Sequence, residues 1–127
     1  MSKKVIKTDK IYLPVGPYNQ AVATGNLIYT AGQIPLDKAG NMVPGAIKEQ
    51  TKQVLENVKA VLESAGSSLD KVIKATVFLK DLNDFAGMNE IYGQYFKAET
   101  APARSTIQVA RIPKDSLVEI EVVAVSP

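Results

Sequence analysis

Arg104 stands two residues after a proline, in Ala101-Pro102-Ala103-Arg104-Ser105-Thr106. Pro102 fixes its own φ and steers Ala101 away from helix. The residues that follow, Ile107-Gln108-Val109-Ala110, read as a strand. An arginine at the mouth of a strand, on a pre-set backbone, can grip a carboxylate with two parallel hydrogen bonds. The alternative is a surface arginine in a structural ion pair. Glu119 lies on the next strand, and chain order suits an antiparallel pair with Arg104. Arginine could then clamp a carboxylate substrate while the glutamate handles water or a proton. Equally, the two could form an ion pair across the strands. Glu121 points to the same face as Glu119 and could pair with Lys74; alternation does not rank the two glutamates.

Three further groups are candidates. Gly16-Pro17-Tyr18 is a rigid turn that presents a tyrosine to a pocket or packs it over the turn. Thr30-Ala31-Gly32-Gln33 places a glycine inside a strand, the mark of a bulge or of a close backbone approach. Asn89 lies beside the apolar stripe of a helix, where it is either a surface amide or a buried polar group.

Composition narrows the chemistry. The chain has no cysteine, which removes disulfides, thiolate metal sites and thiol nucleophiles. It has no histidine, so the commonest general base and the commonest transition-metal ligand are also missing. Carboxylates, arginine, hydroxyls, backbone groups and ordered water remain. No phosphate loop, zinc spacing or dinucleotide fingerprint is present. The net charge of +2, without a basic block, argues against a nucleic-acid footprint. No apolar run approaches membrane-spanning length and the first residues lack the apolar core of a signal peptide, so the cytoplasm is the expected location.

The elements that must position these residues follow from periodicity. A length of 127 residues fits one domain, 1–127. A short strand is expected near Lys4–Lys7, extended chain over Asn19–Ala23, a turn at Thr24-Gly25-Asn26, and a strand over Leu27–Gln33. Ile47, Thr51, Val54, Leu55, Val58, Val61, Leu62 and Ala65 share one helical stripe, with Gly66 as its stop. A strand is expected over Val72–Leu79, with Ile73, Ala75, Val77 and Leu79 on its apolar face. A second helix starts near Asp84, capped by Asn83 or Asp81, and buries Phe85, Met88, Tyr92, Tyr95 and Phe96. The final strand, Leu117–Val125, turns Val118, Ile120, Val122 and Ala124 one way and Glu119, Glu121, Val123 and Val125 the other. Two helices cover only one face of such a sheet. The second face mixes Val72, Phe78, Val123 and Val125 with Lys74, Glu119 and Glu121, which suggests a subunit interface with polar sites embedded in it.

Gly16-Pro17-Tyr18, Thr30-Ala31-Gly32-Gln33-Ile34-Pro35, Lys80-Asp81-Leu82-Asn83-Asp84-Phe85, Pro102-Ala103-Arg104-Ser105 and Val118-Glu119-Ile120-Glu121, taken together and in order, closely resemble the RidA (YjgF/YER057c/UK114) family of reactive-intermediate imine deaminases. The resemblance covers nearly the whole chain. It implies an α+β, chorismate-mutase-like fold, with a mixed or antiparallel six-stranded sheet, two helices on one face, and a homotrimeric barrel with clefts between subunits. It implies hydrolysis of enamines and imines such as 2-aminoacrylate to 2-keto acids and ammonia, without metal or organic cofactor. By position, Arg104 would bind the substrate carboxylate and Glu119 would orient or activate water. Tyr18 would line the cleft, the backbone at Ala31 and Gly32 would approach the ligand, and Asn89 and Thr106 would be further lining residues. Many members carry serine where this chain has Ala31. The resemblance leaves two other functions open: a regulatory trimer that binds keto acids without turnover, and the RNA-directed role described for some members.

Overall fold

The three-four spacing of apolar residues after Gly45 forms helix α1, Ile47–Ser64. The computed structural model describes residues 2–127. The Glu49 side chain accepts from the Ala46 N–H at 2.8 Å, which satisfies one of the free donors at the start of the helix. Gly66, at φ 79°, ends it, and the Ser67 N–H closes back onto the Leu62 carbonyl at 2.9 Å. Val54, Leu55, Val58, Val61 and Leu62 are fully buried. Each is worth about 1.5–3 kcal/mol of apolar burial, so this stripe anchors the fold.

The strands are β1 (Lys3–Ile6), β2 (Ala21–Thr24), β3 (Leu27–Thr30), β4 (Val72–Leu79), β5 (Ala103–Gln108) and β6 (Val118–Val125). They form one sheet in the order β1-β2-β3-β6-β4-β5. All pairs are antiparallel except β4 with β5, which run parallel. Helix α2, Phe85–Tyr95, connects that parallel pair, as a crossover of this length must. The Asp81 side chain accepts from the Asn83 N–H at 2.8 Å and starts the 3-10 turn Leu82–Asp84 that leads into α2. The expected α+β architecture, with two helices against a six-stranded mixed sheet, is therefore observed.

Two expectations are corrected. Arg104 and Glu119 are not on adjacent strands, because β6 inserts between β3 and β4 and leaves β5 at the sheet edge. On β4, a register shift between Val72 and Lys74 turns Val72 inward and leaves Ile73 48% exposed. One extra residue at such a bulge flips the alternation, so Ile73 does not share the buried face of Ala75, Val77 and Leu79.

Beyond the bulge the register sorts the side chains cleanly. Ala75, Val77, Leu79, Val118, Ile120 and Val122 lie beneath the helices. On the opposite face, Val5, Val22, Tyr29, Val123 and Lys74 follow one another across the sheet in a single row. A second row holds Glu119, Phe78 and Ile107. Lys74 bonds the Ser105 hydroxyl at 3.0 Å rather than ion-pairing with Glu121.

Candidate active site

Glu119 projects from β6 onto the helix-free face, level with Phe78 of β4. Its carboxylate folds back against Gly32. A Cβ built on Gly32 would overlap Glu119 Oε2 and stand 2.7 Å from its Cδ. Gly32 does not have a left-handed backbone. The glycine therefore serves a close approach, and what approaches is the glutamate side chain. Burial pushes the Glu119 carboxyl above the usual carboxylate range, and the charge of Glu121 on the same face adds to the rise.

Buried amides hold the chain around Gly32 in place. Asn57 of α1 donates to the Ile34 carbonyl at 3.2 Å and the Leu36 carbonyl at 3.0 Å. Gln20 bonds Thr8 and the Tyr12 carbonyl through its side chain, while its own carbonyl accepts from the Ala31 N–H at 2.8 Å. Gln33 and Ile120 exchange backbone hydrogen bonds at 2.8 and 3.1 Å, which fixes Gly32 beside Glu119. The Ile34 N–H donates to the Tyr12 hydroxyl at 3.3 Å. That phenol is buried, which raises its pKa, and it lies within the electrostatic reach of both Tyr18 and Glu119. Tyr18 itself is 45% exposed, with its N–H bonded to the Gly16 carbonyl at 3.0 Å. Tyr12, Tyr18, Ala31, Gly32 and Glu119 thus belong to one neighbourhood.

Arg104 belongs to another. Its register partner, Ala75, is buried under the helices, so Arg104 points to the helix side at the exposed edge of the sheet. Its Cζ lies 4.5 Å from the centre of the Tyr92 ring and 5.5 Å from that of Phe85. Among the described residues no acidic side chain forms an ion pair with it. A cavity of about 530 Å³ opens beside it, lined by Asn89, Tyr92, Phe96, Ala101 and Pro102 among others. Thr106 shares the inward face of β5 but does not line this cavity. A groove of about 490 Å³ at the β1 edge contains none of the candidate residues.

The two neighbourhoods do not meet within one chain. They lie two strands apart, about 10 Å across the sheet, and three residues apart along β4, about 10 Å more, on opposite faces. The expected cross-strand contact of Arg104 with Glu119 is absent for this reason. No group of three or more His, Cys, Asp or Glu among the described residues is placed to hold a metal ion, and no helix is long and apolar enough to cross a membrane.

The profile of the family described as Endoribonuclease L-PSP matches residues 8–126. A RutC family protein of Pyrococcus abyssi is 58% identical over 125 residues, which is 98% of this chain and 98% of the relative. The chain belongs to the RidA (YjgF/UK114) family. The RidA-family fold is equally clear in solved structures. The YjgF gene product of E. coli superposes with a TM-score of 0.90 at 46% identity, over 96% of this chain and 98% of that one. E. coli TdcF, solved with bound serine, gives a TM-score of 0.91 at 46% identity, over 98% and 99% of the two chains.

In this RidA-family chain, residue spacing alone missed Tyr12, placed Phe85 in the core, and rightly buried Tyr92 without showing that both rings flank the arginine. Tyr12 sits in the mixed segment before the Gly-Pro turn, where no periodicity distinguishes it. Phe85 is 40% exposed. It falls seven residues before Tyr92, two helical turns away on the same side of α2, which is a signal that could have paired both rings with one partner.

Proposed function

We propose that this chain hydrolyses enamine and imine intermediates of 2-amino acids to 2-keto acids and ammonia, at sites assembled between copies of itself in a trimer. The observation that carries the reading is the Arg104 guanidinium, which faces a cavity with no acidic partner. An arginine with its fork unoccupied suits a carboxylate ligand. The serine in the related TdcF structure is a ligand of that kind.

The second half of the chemistry is assigned to Glu119. An imine carbon bonded to a carboxylate is attacked by water. Glu119 takes one proton from that water as the C–O bond forms and passes it to the nitrogen, giving a carbinolamine. It then takes the carbinolamine hydroxyl proton as C=O forms and delivers it to the amino nitrogen, so that the C–N bond breaks and ammonia leaves. A carboxyl raised above its ordinary pKa by burial is a stronger base, once ionised, than an exposed one. Imines hydrolyse readily, so holding the substrate and aiming one water supply most of what the reaction requires. Tyr18 and the Ala31–Gly32 backbone would border the water side, and Asn89 the carboxylate side.

The separation of the two neighbourhoods supports assembly between copies. The helix-free face carries Tyr29 and Ile73, each 48% exposed, and Ile107 at 45%, beside half-buried Phe78 and Val123. A second copy covering this face would remove apolar surface from water and carry one chain's Arg104 toward another chain's Glu119.

The test generates 2-aminoacrylate with a serine dehydratase and follows keto acid release with and without the protein. Acceleration that disappears in Arg104→Ala supports the reading. Saturable keto acid binding without acceleration would make the protein a carboxylate sensor instead. RNA cleavage that survives Arg104→Ala would move its chemistry elsewhere.

A further inference from the structure

Two aromatic rings flank the Arg104 side chain, and among the described residues no acid forms an ion pair with it. Its Cζ sits 4.5 Å from the Tyr92 centroid and 5.5 Å from the Phe85 centroid, and both rings come from α2. Each has an unusual environment. Phe85 remains 40% exposed although it begins an otherwise well-buried stripe. Tyr92 is buried and packs at a tilt of 35° against Phe96, with ring centres 4.7 Å apart, yet its hydroxyl meets no partner at hydrogen-bond geometry. Core packing accounts for Met88 and Phe96 and leaves the placement of Phe85 unexplained.

We infer that Phe85 and Tyr92 are positioning residues, a two-ring seat that holds the Arg104 guanidinium in place for a carboxylate. The inference rests on the reading of Arg104 as a substrate clamp. A ring face attracts a cation through its quadrupole and uses none of the guanidinium N–H groups. An aspartate or glutamate in the same place would occupy the fork and compete with substrate. A free arginine on an edge strand would have to be ordered each time a ligand bound. The seat avoids both: the side chain is restrained before binding and its donors stay available. Arg104 also lessens the rise that burial imposes on the Tyr92 hydroxyl, first by its charge and then by a guanidinium N–H near the phenol oxygen, an approach that falls short of hydrogen-bond geometry and leaves that N–H able to turn to a ligand.

The test combines kinetics, keto acid binding and a direct probe of the arginine. Phe85→Leu removes a ring at a partly exposed position, where folding should survive. It should raise KM, and the Kd for 2-oxobutanoate measured by calorimetry, by about threefold to tenfold, the scale of a cation–π contact, with kcat much less affected. The Arg104 Nε–Hε resonance in a ¹⁵N spectrum should move toward that of a free arginine. Phe85→Tyr should restore all three. Tyr92→Leu should behave like Phe85→Leu, and Tyr92→Phe, which keeps the ring, should largely restore binding. Unchanged KM, Kd and resonance in Phe85→Leu would overturn the seat, as would a loss in kcat alone that Phe85→Tyr does not repair. Full turnover in Arg104→Ala would instead remove the clamp reading itself, and the resonance would still report whether the rings hold the arginine.

Discussion

The Glu119 carboxylate occupies the space that a side chain on residue 32 would need. Gly32 needs no left-handed backbone, so replacing it tests this contact alone. The group in the way is the end of a flexible side chain, which can swing aside at little cost. Gly32→Ala should therefore lower stability by less than about 1.5 kcal/mol while costing at least about tenfold in turnover, because the base is displaced from its place. Denaturant melts and steady-state rates on the same sample check both. A variant with full activity would separate Glu119's position from its role.

The pH profile should carry the mark of Glu119. Its ionised form is the base, so activity rises with pH through a pKa lying above the ordinary glutamate value of about 4.3. Glu121 supplies the smaller part of the rise, after burial. Glu121→Gln should lower the Glu119 pKa and move the acid limb of kcat/KM to lower pH. A limb that stays put or moves upward would rule this assignment out. The same shift carries a stability signature. A raised carboxyl favours its protonated form in the fold, so its stabilising contribution is full below the ordinary value and is lost as pH rises through the raised one. Glu119→Gln should flatten that slope.

Arg104→Lys keeps the charge, and a lysine can still rest on the rings, but it loses the fork. Deaminase kcat/KM should fall by about tenfold to a hundredfold, the range for a hydrogen bond to a charged group. With no ion pair to lose among the described residues, the melting temperature should fall by no more than about 4 °C. Near-normal turnover in this variant would remove Arg104 from the site.

Mixing two inactive variants tests whether sites form between copies. Arg104→Ala retains Glu119, and Glu119→Ala retains Arg104. If each site takes one residue from each of two neighbours, every mixed trimer regains one intact site. Unfolding and refolding the two variants together in equal amounts should then restore about a quarter of wild-type activity. Recovery should be nil if both residues serve one site in one chain.

Much of this architecture was legible before any coordinates. The α1 stripe, the Gly66 stop and the inward side of β6 follow from apolar period, and all are observed. The neighbours of β5 were less accessible, because consecutive strands invite an antiparallel pairing that chain order alone cannot exclude. The helix between β4 and β5 held the better clue, since parallel strands need such a crossover. The Val72–Lys74 bulge left no compositional trace, as Val72 and Ile73 are both apolar β-branched residues and either could face the core. Gly32 was recognisable as a close approach, but not what approaches it, because Glu119 lies 87 positions away in the chain. Phe85 resembled core by pattern and emerged half exposed because its partner is a cation at the sheet edge.

Strand β4, standing between Arg104 and Glu119, has a consequence for behaviour on dilution. A four-carbon imine cannot bridge two faces of one sheet, so a lone chain that carries both groups would be inert toward it. Activity would then follow mass action: below the dissociation range of the assembly, turnover per chain would drop as the protein is diluted and recover on concentration. Freshly made chains would pass through a silent interval before they meet partners, its length set by their abundance rather than by folding.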